Sequence, residues 1–272
     1  MSRQLVAVRH PCYDYHASRI YARIHVPIAS RCNLGCFFCL RGHTNEWVPG
    51  ASRAVLSPTE AAEIVRRLVS RAPSLTVVAI AGPGDALASP ETFEFLELIR
   101  DLRGVIRCIS TNGVLIEDFV DKLIELGVQA VTISMHAYFP HTAALIYRFL
   151  RRPDGSTVRG DEAGREIVAR QLRAIELCRK RGLLVKINSV HVPGLNDRDI
   201  VEIAREAAAR GADLMNIVPV IPGGDPLKTS ALRRLCERYI EQMTWCRNCR
   251  ADAYGLLESK TTLFDAMGLS SS

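Results

Sequence analysis

No stretch of the 272-residue chain approaches the roughly 18 uninterrupted apolar residues of a membrane-crossing helix, which excludes a spanning segment and a membrane partner. The opening ten residues lack an apolar run of signal-peptide length, so the expected localisation is cytoplasmic. An even cysteine count is also missing. Nine cysteines without a leader argue against a disulfide framework and for a reducing compartment. Aromatic residues make up only 6%, and none interleave with basic residues to form a patch. Nucleic acid is therefore not an expected partner, despite the net charge of +6. No glycine-rich dinucleotide fingerprint follows the first strand-like run, and no internal repeat beyond a strand–helix unit is visible. What remains is globular composition, 48% hydrophobic and 24% charged, sufficient for one large α/β domain or two small ones.

The apolar pattern alternates between strand and helix. A first strand is expected at about residues 23–30, and Ser57-Pro58-Thr59-Glu60 starts a helix that runs to Ala72. Leu75 to Ala81 is a nearly continuous apolar run, as in a strand covered on both faces. Ser89-Pro90-Glu91 is read as the cap of a helix reaching about Leu102. Strands at 105–110, 130–135, 183–190 and 214–220 then alternate with helices at 116–126, 162–181 and 198–210. Six such units, joined by right-handed crossovers, are too few for a closed eight-fold barrel of about 250 residues. The expected fold is α/β: a partial, open (β/α)6 TIM-like barrel with its chemistry at the C-terminal ends of the strands. Residues 1–22 read as an arm lying on the domain, 23–221 as the core, and 222–272 as an extension. That extension holds a helix at Ser230–Met243, a Cys-x-x-Cys pair and a frayed serine-rich end. Residues 138–161 interrupt the fourth unit, either as a lid over the barrel mouth or as a solvated loop.

Chemistry concentrates in Cys32-Asn33-Leu34-Gly35-Cys36-Phe37-Phe38-Cys39, directly after the first strand. Three thiolates on one loop hold three irons of a 4Fe-4S cubane and leave the fourth iron without a protein ligand. A zinc knuckle, a ferredoxin-like cluster and three unrelated cysteines are the plain alternatives; zinc sites usually add a second nearby pair. The spacing of Cys32, Cys36 and Cys39 resembles the radical S-adenosylmethionine (SAM) enzymes, as does the partial barrel. That resemblance implies that SAM chelates the fourth iron and is reductively cleaved to a 5′-deoxyadenosyl radical.

Other strand ends carry polar sets. Gly82, Gly84 and Asp85 follow the second strand, and similar segments in radical SAM families contact the amino group of SAM. Ser110 and Asn112 end the third strand; Lys186, Asn188 and Ser189 lie on the fifth, and Asn216 on the sixth. Each alone is explained by a turn or a buried structural hydrogen bond, but together at one barrel end they form a cofactor pocket. Cys246 and Cys249 are half a zinc site, a redox dithiol or, joined by Cys12, a second three-thiolate site linking the termini. Cys108, Cys178 and Cys236 read as buried apolar residues.

In order along the chain, several blocks resemble the NifB family of nitrogenase-cofactor maturases. They are His10-Pro11-Cys12, Ala22-Arg23-Ile24-His25, the cysteine loop, Ile80 to Asp85, and Ser110 to Gly113. Val185 to Val190, Pro193 to Asp197 and Cys246 to Ala253 complete the set, which covers about residues 8–258. The resemblance implies two 4Fe-4S substrate clusters besides the SAM cluster, methyl transfer to a cluster sulfide, and an 8Fe-9S core with a central carbide. It also implies iron–sulfur donor and acceptor proteins and a low-potential electron donor as partners. Two departures stand out. The family's cysteine about six residues past the loop is absent from Leu40 to Glu46, and its Asn-Cys after the fourth strand is here His136-Ala137. His43 and His136 are the candidate replacements, since imidazole also ligates iron. The competing readings are a relative with one auxiliary cluster acting as a methyltransferase or a peptide- or small-molecule-modifying enzyme, and a non-catalytic cluster carrier.

Overall fold

The computed structural model describes residues 1–269; the frayed end expected at 270–272 lies outside the described residues. In chain order the elements are α1 (Arg3–Ala7), α2 (Tyr15–Ile20), β1 (Ala22–His25), β2 (Leu34–Cys36), α3 (Pro58–Arg71), β3 (Leu75–Ile80) and α4 (Glu91–Leu98). They continue with β4 (Ile106–Thr111), α5 (Ile116–Glu125), β5 (Val128–Ser134), α6 (Pro140–Ile146), β6 (Tyr147–Arg151), β7 (Thr157–Val158) and α7 (Gly160–Lys180). The last are β8 (Leu184–His191), α8 (Asp197–Ala209), β9 (Leu214–Pro219), α9 (Pro226–Cys236), β10 (Ala253–Gly255), β11 (Thr261–Thr262) and α10 (Leu263–Ala266). Among the described residues, no helix is long and apolar enough to cross a membrane.

The main sheet runs β11-β10-β1-β3-β4-β5-β8-β9 and curls into an open half-barrel. Its six strands from β1 to β9 are parallel, as the strand–helix alternation requires; β10 adds antiparallel at the β1 edge. Alternation along each strand separates two faces. Ile24, Val78, Ile109, Val131, Ile187 and Ile217 point outward into the apolar layer under the helices. The inward residues stack in layers set by register. His25, Ala79, Cys108, Ala130 and Leu184 are successive partners in one layer. Ser110, Thr132 and Lys186 follow in the next, and Ser134, Asn188 and Asn216 in the one above. The interior thus turns from small and apolar to polar toward the C-terminal ends.

The first 22 residues, expected as an arm lying on the domain, send Val6 and Tyr13 into the barrel while Leu5, Val8, Tyr15 and Ile20 stay exposed. Val6 and Tyr13 pack against Val77, Ile106, Ala130 and Leu184, and the Tyr13 hydroxyl donates to the Val131 carbonyl at 2.9 Å. Helices of five and six residues are too short to show a periodic signal.

Helix ends follow the sequence in part. Ser57 and Glu60 form the expected capping box with Pro58 at the first turn of α3. Ser89 does not cap α4; its hydroxyl accepts the Arg31 amide at 3.0 Å, and the helix stops at Leu98. The last long helix is Pro226–Cys236 instead of 230–243, because Asp225 accepts from the amides of Leu227 and Lys228 and Pro226 fits the first turn.

Residues 138–161 are neither a lid nor a solvated loop. They fold as α6, β6 and β7, and β6 pairs antiparallel with β2 of the cysteine loop, Leu34 opposite Leu150 and Cys36 opposite Tyr147. Helix α6 is seated on α7 at Gly164, where an added β-carbon would meet the Pro140 carbonyl oxygen at 2.2 Å. Glycine-to-alanine in a helix ordinarily gains about 1 kcal/mol. At Gly164 the sign is expected to reverse, with Gly164→Ala losing about 1–3 kcal/mol in urea unfolding through overpacking.

Candidate active site

A cavity of about 320 Å³ opens at the C-terminal strand ends, and the expected catalytic loop forms one wall of it. Cys32 and Cys39 are exposed and Cys36 is half-buried. Both flanks of the loop are tied down. The amide of Phe37 donates to the Ile146 carbonyl at 3.0 Å and that of Arg151 to the Asn33 carbonyl at 2.8 Å. On the barrel side, the amide of Asp85 donates to the Arg31 carbonyl at 2.7 Å, and Asn112 Nδ2 donates to Asn33 Oδ1 at 2.7 Å. Gly84 permits this approach, since a β-carbon there would meet the Arg31 carbonyl oxygen at 2.2 Å. Although part of Cys32 stays exposed, desolvation of its thiol inside the cavity, with Asp85 adding, pushes it up to about 11; burial also raises Cys36 strongly, with Cys32 and Cys39 adding. Cys32 and Cys36 are therefore protonated without metal at neutral pH, and loading iron displaces their protons.

Cys12, Cys246 and Cys249 are half-buried and line the same cavity. They pack against Leu214, Met243, Trp245 and Leu257. The Trp245 indole donates to the Pro11 carbonyl at 3.0 Å, joining tail to arm. Between the paired thiols, Asn248 takes the left-handed backbone (φ 50°), and its amide donates to Cys246 Sγ at 3.5 Å. Arg23, fully buried, donates to Cys249 Sγ at 3.1 Å. Burial raises the Cys12 thiol, with Cys249 and Cys246 adding and Lys186 opposing.

One buried ion pair links the segments that carry the two thiol sets. Arg250 and Asp252 are fully buried and meet at 2.7 Å. Arg250 also donates to the carbonyls of Thr44 (2.8 Å) and Glu46, while Asp252 accepts from the Arg53 amide at 2.9 Å and Ser52 Oγ at 3.2 Å. The segment following Cys39 is thus sewn to the segment following Cys249. Sequence reasoning missed this clamp, because the other partners of the two side chains are some 200 residues away in the chain.

The expected cofactor residues divide into two groups. Ser110, Lys186, Asn188 and Asn216 line the cavity, with Asn216 Nδ2 donating to Asn188 Oδ1 at 2.9 Å and Asn216 Oδ1 buried without a partner. Asp85 and Asn112 line it too, but they serve the scaffold. Asp85 accepts from Thr111 Oγ1 at 3.0 Å and from the amides of Asn112 and Leu87 at 2.5 and 2.9 Å. Gly82 and Gly84 shape the turn and do not face the cavity. Ser189 is corrected: it lies in the outward phase of β8 and donates to the Met135 carbonyl at 2.5 Å. Thr132, Ser134 and Arg41 were missed; for the first two, alternation along residues 128–134 in phase with Lys186 and Asn188 was the available signal. Cys108 is buried as expected, yet it also lines the cavity.

The two histidines do not form a replacement ligand pair. His43 is exposed and outside the cavity lining. His136 is buried beside Phe38 and lines the cavity, but its Nδ1 accepts the Val190 amide at 3.1 Å. The ring proton accordingly sits on Nε2, so the free edge offers a donor instead of a lone pair. Burial pulls its pKa down to about 3, with Arg41 adding. Among the described residues, no three His, Cys, Asp or Glu side chains converge on a single-ion site, whereas a cubane takes its thiolates on separate irons.

A thiol-bearing loop after the first strand of an open parallel half-barrel, facing polar strand ends, is the arrangement of radical SAM proteins. The Radical SAM superfamily model matches residues 26–207. The fold agrees with Streptococcus suis SuiB bound to S-adenosylmethionine (TM-score 0.56, 19% identity, 79% of this chain and 43% of that one). It also agrees with methylornithine synthase PylB (TM-score 0.53, 18% identity, 88% and 69%). The superfamily's cofactors are a 4Fe-4S cluster and SAM, and the three loop thiols with the unpartnered Asn216 Oδ1 fit them.

Sequence relatives narrow the class. The FeMo cofactor biosynthesis protein NifB of Klebsiella pneumoniae is 41% identical over 269 residues, 92% of this chain and 57% of that protein. The protein of the same name in Methanocaldococcus infernus is 35% identical over 266 residues, covering 93% and 87%. The chain belongs to the NifB family of radical SAM proteins. It spans 57% and 53% of the lengths of the Klebsiella pneumoniae and Bradyrhizobium diazoefficiens relatives.

Proposed function

We propose that the chain is a radical SAM enzyme that acts on iron–sulfur clusters in nitrogenase cofactor biosynthesis. The observation that carries this reading is one cavity lined by two thiol sets from distant parts of the chain, Cys32, Cys36 and Cys39 in one and Cys12, Cys246 and Cys249 in the other. Cys32, Cys36 and Cys39 hold the resident cluster, which with SAM supplies reductive cleavage of a carbon–sulfur bond. Ser110, Ser134, Asn188 and Asn216 orient the polar parts of SAM, while Leu34, Phe38 and Tyr147 keep bulk water away. Cys12, Cys246 and Cys249 hold a second 4Fe-4S cluster as auxiliary or substrate. With His43 outside the cavity and His136 presenting N–H, a further precursor cluster would be delivered by an iron–sulfur donor protein instead of being held by this chain. An acceptor protein and a low-potential electron donor complete the partners.

Anaerobically reconstituted protein is expected to carry about eight irons per chain and to form 5′-deoxyadenosine from SAM under reductant. Adding a cluster donor is expected to convert the second cluster into a larger species that restores activity to cofactor-free nitrogenase. The missing third thiol set favours one alternative, a relative with a single auxiliary cluster that modifies another molecule. SAM cleavage without any donor-dependent cluster growth would support that alternative. Failure to form 5′-deoxyadenosine at all would point to a cluster carrier.

A further inference from the structure

Lys186 lies on the inward face of β8, at the floor of the cavity, and is only 7% exposed. Its Nζ comes within 4.0 Å of the Met243 thioether and lies 5.7 Å from the centre of the Tyr13 ring. A thioether is a weak acceptor, and among the described residues no carboxylate bonds this ammonium. Arg23, fully buried on β1, is the second cation of the floor. It satisfies the carbonyls of Gly255 and Leu256 at 2.5 and 2.6 Å and reaches Cys249 Sγ at 3.1 Å, and its Nε is buried without a partner. The carboxylates that could neutralise this floor are committed elsewhere: Asp252 to Arg250, Asp213 to Arg3, and Asp85 to Thr111 and backbone amides. Charge buried without a counter-charge is strongly unfavourable. The pocket is therefore built for an anionic guest.

We infer that Lys186, with Arg23, is a positioning cation for an anionic iron–sulfur cluster held by Cys12, Cys246 and Cys249, setting how tightly that cluster is retained and how readily it is reduced. This rests on the reading of those three cysteines as a cluster site. A cubane with three thiolates is net negative when oxidised and more so when reduced, so an ammonium beside it favours the reduced form. A neutral guest would leave both cations uncompensated.

The test uses the full chain with Cys32, Cys36 and Cys39 all replaced by serine, so that only the second cluster reports. In that background, Lys186→Met is expected to lose iron to a chelator about 10–100-fold more readily, the usual effect of removing an outer partner of a metal site. Its reduction equilibrium is expected to shift about tenfold toward the oxidised form, about 59 mV to more negative potential for one electron. Lys186→Arg, which keeps the charge, is expected to restore most of both. Without iron, Lys186→Met is expected to be at least as stable to heat as its parent, because an unpaired buried cation has been removed. A less stable iron-free Lys186→Met chain would mark the lysine as structural and overturn the inference. Full iron with unchanged retention and potential would overturn the inference alone. A background chain that binds no iron would overturn the cluster reading, and the inference with it.

Discussion

Cys36→Ser is expected to reduce 5′-deoxyadenosine formation from SAM to background while leaving the iron-free fold intact. Cys36 is the middle thiol of the loop, its backbone held on β2 opposite Tyr147. A serine hydroxyl does not ionise near neutral pH and is a poor ligand for iron, where thiolate is preferred. No other thiol on this wall replaces it, because Cys32 and Cys39 are already in the set. The residue is half-buried and the substitution nearly isosteric, so the stability change is expected to stay within about 1 kcal/mol. Cys178→Ala is the matched control. That thiol lies on the buried face of α7, and the variant is expected to keep full iron and full SAM cleavage. Product chromatography and iron content check both chains.

The second large effect lies away from the thiols. Arg250→Met leaves the Asp252 carboxylate fully buried without its partner and removes the donor to the Thr44 and Glu46 carbonyls. Breaking one side of a buried pair costs about 3–5 kcal/mol. Against a typical domain stability of about 5–15 kcal/mol, that is a large fraction. It also releases the segment after Cys39 from the segment after Cys249, so iron is expected to fall at both sites together. Adding Asp252→Leu to Arg250→Met is expected to recover part of the stability, since removing both charges leaves no buried ion unpaired. Recovery stays partial because the carbonyls of Thr44 and Glu46 remain without the arginine. Urea unfolding and iron content of the single and double variants separate these contributions.

The barrel was legible because strands alternate with helices along the chain and some helix starts, such as Ser57 with Glu60, carry an ordinary signal. The thiols were legible because ligand spacing on a loop is a local feature. What escaped the sequence depends on distant pairing. The β2–β6 pairing that buttresses the cysteine loop brings together residues more than 100 positions apart, and β7 has only two residues. The N-terminal plug rests on Val6 and Tyr13, single side chains from two very short helices. Ser189 was misplaced although strand alternation could have placed it, since Lys186 and Asn188 fix the inward phase of β8. His136 was read as a lone-pair donor because nothing in the sequence shows that the Val190 amide occupies its Nδ1.

The proposed function requires one cavity to serve two independent cluster sites. Iron quantitation and EPR on anaerobically reconstituted wild-type chain and on the Cys32, Cys36 and Cys39 triple-serine variant test it most directly. The expected result is about eight irons in the wild type and about four in the variant, with SAM perturbing only the signal that the variant lacks. About four irons in the wild type and none in the variant would contradict it, leaving Cys12, Cys246 and Cys249 without a cluster of their own.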